Sequence, residues 1–246
     1  MSGLFISFEG GDGAGKSTQV RRLAEWLRQE VGREVVTTRE PGGTELGRLL
    51  RNELLHGGEL DARTEALLFA ADRAHHVATL IRPALARGAV VLTDRYLDSS
   101  VAYQAAGREL PAEDVERLSL WGTNQLLPAL TVLLDLPAED LVERLGSTID
   151  RMEGAGHEFH RRTRQAFLDR AAADPARWLV LDGAQPRDQL AAQVRAAVEP
   201  LLAGPGHAVG PGHGFGPAGA GRVAGAADEH EGSDRPADET EAPEGR

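Results

Sequence analysis

No cysteine occurs in the 246 residues. That removes disulfide frameworks and thiolate metal sites from consideration. No run of about 18 apolar residues occurs either, so no segment is expected to span a membrane. The first residues, Met1 to Glu9, lack the basic opening and apolar core of a signal peptide, and a cytoplasmic location is expected. A basic excess is also lacking: acidic residues outnumber basic ones 38 to 27, for a formal charge of −11. A nucleic-acid binder needs a cationic face for phosphates, so DNA and RNA are not expected as partners. A small phosphorylated ligand needs only a few well-placed cations. The scarcest residue among those present is lysine, with Lys16 set against 26 arginines. A GC-rich genome accounts for the arginine bias. The surviving lysine is then informative, because a compact ammonium and a planar guanidinium are not interchangeable between phosphate oxygens.

Composition changes sharply near Leu202. Residues 204–246 are rich in Gly, Pro and Ala and then in acids, and are expected to be a disordered tail. Residues 1–203 are expected to form the folded domain. In it, apolar segments alternate with helical ones. Strands are expected at Leu4–Phe8, Glu34–Thr38, Ala89–Thr93, Ala129–Leu134 and Trp178–Leu181. Helices are expected at Ser17–Glu30, Thr44–Leu55 with Thr44 as N-cap, and Asp61–Arg87 with an interruption near Pro83. Further helices fall near Leu97–Ala105, Ala112–Asn124, Ala138–Arg144, Glu158–Ala173 and Arg187–Leu202. Apolar strands separated by helices imply an α/β fold with a five-stranded parallel sheet covered on both faces.

Gly10-Gly11-Asp12-Gly13-Ala14-Gly15-Lys16-Ser17 fits the phosphate-loop pattern at every fixed position, between an apolar strand and an amphipathic helix. The glycines let backbone N–H groups turn toward phosphate oxygens, and the helix start adds unpaired donors. Lys16 then reaches the β- and γ-phosphates, the Ser17 hydroxyl can ligate Mg²⁺, and Thr18 completes the ATP-binding segment. A single lysine excludes an N-K-x-D guanine reader. The apolar strand Val90–Thr93 ends in Asp94, but Arg95-Tyr96 follow directly, which suits a second phosphate better than an activated water. His75 and His76 point about 100° apart on a helix and cannot easily share an ion. His157 and His160 could share one, but nothing nearby completes a ligand set.

Several segments, in order, resemble the thymidylate kinase family. They are Phe8-Glu9-Gly10, Thr38-Arg39-Glu40-Pro41-Gly42-Gly43-Thr44, Leu68 to His76, Thr93-Asp94-Arg95-Tyr96 through Ser99 to Gln104, and Asp150-Arg151-Met152-Glu153. The resemblance implies a P-loop fold of nucleoside monophosphate kinase type and ATP- and Mg²⁺-dependent phosphorylation of dTMP. It implies that Phe69 stacks on thymine, Arg73 donates to a thymine carbonyl and Ser100 bonds the base edge. Tyr103 crowds the sugar 2′ position, and Gln104 helps hold the nucleotide. Arg39 and Arg95 bind the monophosphate. Asp12 reaches the sugar 3′-OH or a metal-bound water. Asp94 either orients Arg95 or takes a metal-linked role through water. No basic residue occupies the variable positions of the phosphate loop, so the lid must supply charge, as in the bacterial type. Arg151 is the better match for the transition-state arginine, and Arg144 for a contact with ATP. Arg161, Arg162 and Arg164 are expected on a solvated helix face. A homodimer is implied, with the helices containing Asp61–Ala84 and Ala112–Asn124 at its interface. A kinase for another monophosphate and an idle nucleotide-dependent switch are the alternatives.

Overall fold

The structure, a computed structural model, describes residues 2–137, 139–140 and 156–204. Residue contacts divide the chain into Met1–Gly212 and His213–Arg246, and all described residues belong to the first unit. Arg144 and Arg151, most of the expected helix 138–144, and residues 205–246 of the expected tail lie outside the described residues.

Five strands form one parallel sheet in the order β2-β3-β1-β4-β5. They are β1 (Leu4–Glu9), β2 (Val35–Arg39), β3 (Val90–Asp94), β4 (Leu130–Asp135) and β5 (Trp178–Asp182). All six residues of central β1 are buried, as a strand covered on both faces requires. Its side chains alternate between two cores. Leu4, Ile6 and Phe8 join Val20, Leu23 and Leu27 of α1 (Lys16–Gln29) in one. Phe5 joins Ile81, Leu85 and Tyr96 in the other. Ser7 and Glu9 share the Phe5 side, so β1 carries a carboxyl into the second layer.

Helix α2 (Glu45–His56) starts where expected, with Thr44 Oγ1 accepting from Gly47 N at 2.9 Å. Helix α3 (Ala62–His76) is capped by Asp61, which accepts from Arg63 N and Thr64 N. The expected long helix is interrupted just before Pro83. A π-helical segment, Val77–Ile81, separates α3 from α4 (Arg82–Ala86). Its last turn closes with Arg82 N donating to Val77 O, so the missing donor of Pro83 falls just after the widened turn. The expected helix at 97–105 is likewise not uniform. It is α5 (Leu97–Ser100) followed by a π-helical segment, Val101–Gly107. Helices α6 (Ala112–Gly122), α7 (His157–Ala173) and α8 (Arg187–Ala203) complete the described elements. No helix among the described residues is long and apolar enough to cross a membrane.

Candidate active site

Parallel strands deliver their C-terminal ends to one edge, where open α/β sheets bind ligands. Segments 10–15, 40–44 and 95–96 leave β1, β2 and β3 at that edge.

The loop after β1 is built from backbone. Gly10, Gly13 and Gly15 have φ of 127°, 83° and 98°, a region that L side chains rarely enter. At Gly10 a Cβ would also sit 2.4 Å from Leu134 O. Lys16 opens α1, buried, with Nζ donating to Gly10 O at 3.0 Å and Gly11 O at 2.8 Å. Its ammonium lies 3.5 Å from Asp12 Oδ1. Burial and then the Arg95 charge push the Lys16 pKa down. Ser17 Oγ donates to Asp94 Oδ2 at 2.7 Å. A hydroxyl and a carboxylate side by side form a hard oxygen donor set that suits Mg²⁺.

Beside the loop lies a hollow of about 640 Å³. It is built from side chains of several elements. Phe69 and Arg73 reach it from α3, one helical turn apart, and Ser100, Tyr103 and Gln104 from α5 and the π segment after it. The widened turn contributes here, since i→i+5 bonding brings Gln104 round beside Ser99 and Ser100. Asp12 and Arg95 close the end facing the phosphate loop.

Arg73 is 2% exposed, and each of its three side-chain nitrogens makes one positioning bond. Its Nε donates to Glu40 Oε2 at 2.8 Å, one terminal nitrogen to Ser119 Oγ at 2.9 Å and the other to Ser100 Oγ at 2.7 Å. Glu40 turns its other oxygen to His76 Nδ1 at 2.8 Å. A guanidinium has five N–H donors, so one remains on each terminal nitrogen. Gln104 Nε2 donates to buried Glu65 at 3.0 Å, which orients its amide.

Arg95 donates to Asp12 Oδ1 at 2.7 Å, Tyr103 Oη at 3.1 Å and Ser99 Oγ at 3.1 Å. Burial alone would raise the Asp12 carboxyl, but the Arg95 and Lys16 charges hold it well below the usual range. The Arg95 guanidinium lies 4.9 Å from the Tyr103 ring centre. Burial pushes the Tyr103 hydroxyl well up, so it stays protonated.

The structure places three groups of the expected residues. The carboxylate that orients Arg95 is Asp12; Asp94 is taken by Ser17. Arg39 does not line the hollow; it lines the neighbouring groove with Ser17 and Asp94. Arg164 keeps 39% side-chain exposure. It forms a two-pronged pair with Asp135 at 2.7 and 2.8 Å, because α7 packs its inner side on the end of β4. Arg162, 35% exposed at its side chain, donates to Gly107 O at 2.9 Å and pairs with Glu109, and Arg161 stays at the surface with Glu158. The sequence expectations missed Glu40, Arg51 and Leu55, which line the hollow, and Ser119, which braces Arg73. Glu40 alone carried a signal, since it sits inside Arg39-Glu40-Pro41-Gly42-Gly43-Thr44. Also missed was the turn after β5, where Gly183, Gln185 and Pro186 face Thr18 and the phosphate loop across a second hollow.

A thymidylate kinase family model matches residues 8–194, which runs from the end of β1 through β5 and takes in both hollows. The chain belongs to the thymidylate kinase family. A thymidylate kinase of Clavibacter sepedonicus is 57% identical over 207 residues, spanning 82% of this chain and 98% of the relative. One from Bifidobacterium longum subsp. infantis is 58% identical over 207 residues, spanning 82% and 88%. A crystal structure of thymidylate kinase from Ehrlichia chaffeensis superposes with a TM-score of 0.68 at 32% identity, covering 81% of this chain and 100% of that one. The phosphate loop and the hollow both lie within the matched residues.

Proposed function

We propose that this protein transfers the γ-phosphoryl group of ATP to the phosphate of dTMP, giving ADP and dTDP on the way to dTTP. The observation that carries the assignment is the hollow itself. An aromatic face (Phe69) and braced donors (Arg73, Ser100) lie at one end, and Arg95 at the other, next to a phosphate loop. The scale suits a nucleotide whose base enters first and whose phosphate ends at Arg95.

The acceptor needs no general base. A phosphate monoester has a second pKa of about 6 and is already nucleophilic at neutral pH. One of its oxygens attacks the γ-phosphorus as the bond to the bridging β–γ oxygen breaks, and ADP leaves with the electron pair. What the protein must supply is position and positive charge. Lys16 serves the β- and γ-phosphates of ATP, within residues Gly10 to Thr18. Arg95 serves the dTMP phosphate, and Asp12 orients Arg95 and meets the 3′-OH or a metal-bound water. Arg39 reaches the monophosphate from the groove beside Asp94. Arg73 donates its remaining N–H groups to thymine, Ser100 meets the base edge, Gln104 supports the nucleotide, and Tyr103 crowds a ribose 2′-OH. Ser17, with Asp94 through water, would hold Mg²⁺, which neutralises phosphate charge when bound. Arg151 is the transition-state arginine and Arg144 an ATP contact; Arg151→Ala should lower kcat strongly with little change in dTMP affinity.

We further propose a homodimer. Leu67 on α3 and Trp121 on α6 are 56% and 79% exposed, and Leu49 on α2 is 69% exposed. These helices pack α2 on α3 and α3 on α6. Such side chains are expected to be covered by a second copy; Trp121→Glu should shift the sedimentation coefficient to that of a monomer. Residues 1–203 form the catalytic domain, 204–246 an extension rich in Gly, Pro, Ala and acids, and the protein works in the cytoplasm. ADP release with dTMP, dUMP, UMP, CMP and AMP tests the activity. Strong preference for dTMP is expected. Equal use of another monophosphate would move the substrate, and no release with any would leave an idle nucleotide switch.

A further inference from the structure

Arg95 has φ of 70°. A non-glycine residue in the left-handed region is strained and persists only where its surroundings over-determine it. The restraints come from the end of β1. Phe8 O accepts from Arg95 N at 2.9 Å. Glu9 Oε1 accepts from the next amide, Tyr96 N, at 2.8 Å. Glu9 Oε2 accepts from Ser99 Oγ at 2.6 Å, and that same hydroxyl oxygen accepts from the Arg95 guanidinium at 3.1 Å. The next two residues, Gly10 and Gly11, hold Lys16 through their carbonyls. Four consecutive residues, 8 to 11, therefore grip the acceptor arginine on one side and the donor lysine on the other.

We infer that Glu9 is a positioning residue for the transfer: it fixes the backbone at Arg95–Tyr96 and, through Ser99, the guanidinium that receives the acceptor phosphate. A carboxyl with no exposure, in a strand otherwise built of apolar residues and one serine, has no packing reason to be there. Its two oxygens are spent on the two groups that set the Arg95 backbone and side chain. Charged groups around it are Arg95 and Asp98, and Lys16 lies within electrostatic range. Asp98 is itself held by Arg170 and Arg177 from beyond the hollow. The carboxyl is pushed up to about 8, by burial first and then by Asp98.

The inference rests on Arg95 as the acceptor-phosphate ligand. Its test is steady-state kinetics of the full chain with each substrate varied. Glu9→Leu keeps the volume and removes both acceptors; it should raise the dTMP KM by about tenfold or more and leave the ATP KM unchanged. Glu9→Gln, which can bond both Tyr96 N and Ser99 Oγ, should bring the dTMP KM back toward the wild-type value. Ser99→Ala cuts the link without emptying the strand, and should move the same constant in the same direction should Glu9→Leu fail to fold. A dTMP KM unchanged in both variants, an ATP KM that rises equally, or no rescue by Glu9→Gln overturns the role. Arg95→Ala separates the two levels. If it leaves the dTMP KM unchanged, the acceptor-site assignment falls and this role with it. If it raises that KM while Glu9→Leu and Ser99→Ala do not, only the Glu9 role falls.

Discussion

The phosphate loop and the nucleotide hollow touch at Asp12 and Arg95, yet they are made in opposite ways. The loop is backbone in unusual conformations, with Gly10, Gly13 and Gly15 all at positive φ and one charged side chain, Lys16, tucked onto its carbonyls. The hollow is made of side chains, most of them drawn from α2, α3, α5 and the π segment after it and braced by buried polar bonds such as those of Arg73. A backbone site tolerates no added atoms, whereas a side-chain site is graded and can lose one contact at a time. In the proposed reaction the loop serves the triphosphate of ATP, and the hollow discriminates among bases.

The contrast can be broken most severely at Lys16. Lys16→Met should reduce turnover by about 10³-fold or more, because no other side chain supplies a point charge there, with circular dichroism unchanged; retained turnover would refute the donor-site assignment. Gly10→Ala comes next. Its Cβ would strike Leu134 O, so ATP affinity and thermal stability should fall together, the latter by roughly 1–3 kcal/mol, and an unaffected variant would show that the loop is not backbone-limited. On the side-chain side, Arg73→Ala should raise the dTMP KM by roughly 10²-fold, in line with about 1.5–3 kcal/mol for a charged hydrogen bond. Its ATP KM should stay constant, and equal changes in both would join the two regions into one. Tyr103→Ala should open a measurable UMP activity that Tyr103→Phe does not, if ring bulk excludes ribose; a gain in both would assign the effect to the hydroxyl.

The smallest effect is on stability against pH. Asp72 is pushed up to about 6 by burial and then Glu40, and Glu9 to about 8. Each folded carboxyl keeps a proton that the unfolded chain has already released above its ordinary value near 4. Folding stability therefore falls as pH rises through the acid range, and between about 6 and 8 Glu9 alone among these two sustains the fall, at no more than about 1.4 kcal/mol per unit. Urea melts of the wild type and Glu9→Gln at pH 6, 7 and 8 should show a shallower slope for the variant.

The same contrast decides what could be read from the chain before its structure. Glycine spacing is local, so Gly10 to Ser17 announced a phosphate loop with its helix, and the apolar runs of β1, β3 and β4 announced a parallel sheet. Phe69 and Arg73 are ordinary helical residues by pattern, and only their resemblance to a family marked them out. Ser119 bonds Arg73 across 46 positions, and Arg164 bonds Asp135 across 29. Neither pairing has a local signature; Arg164 stays partly exposed on α7, and what the pattern could not show was its partner. The π segments were invisible for another reason: Val101 to Gly107 has helical composition, and the extra residue per turn is imposed by what packs on it, including Phe159, which would lie 2.4 Å from a Cβ at Gly107.

Lys16 is the sole side-chain amine in the chain, and it is buried against its own loop. Amine-directed reagents can therefore modify only the α-amino group and this one position. The extent of labelling at Lys16, followed by mass spectrometry as nucleotide is added, becomes a direct chemical gauge of how far the donor site is filled, on the unaltered protein.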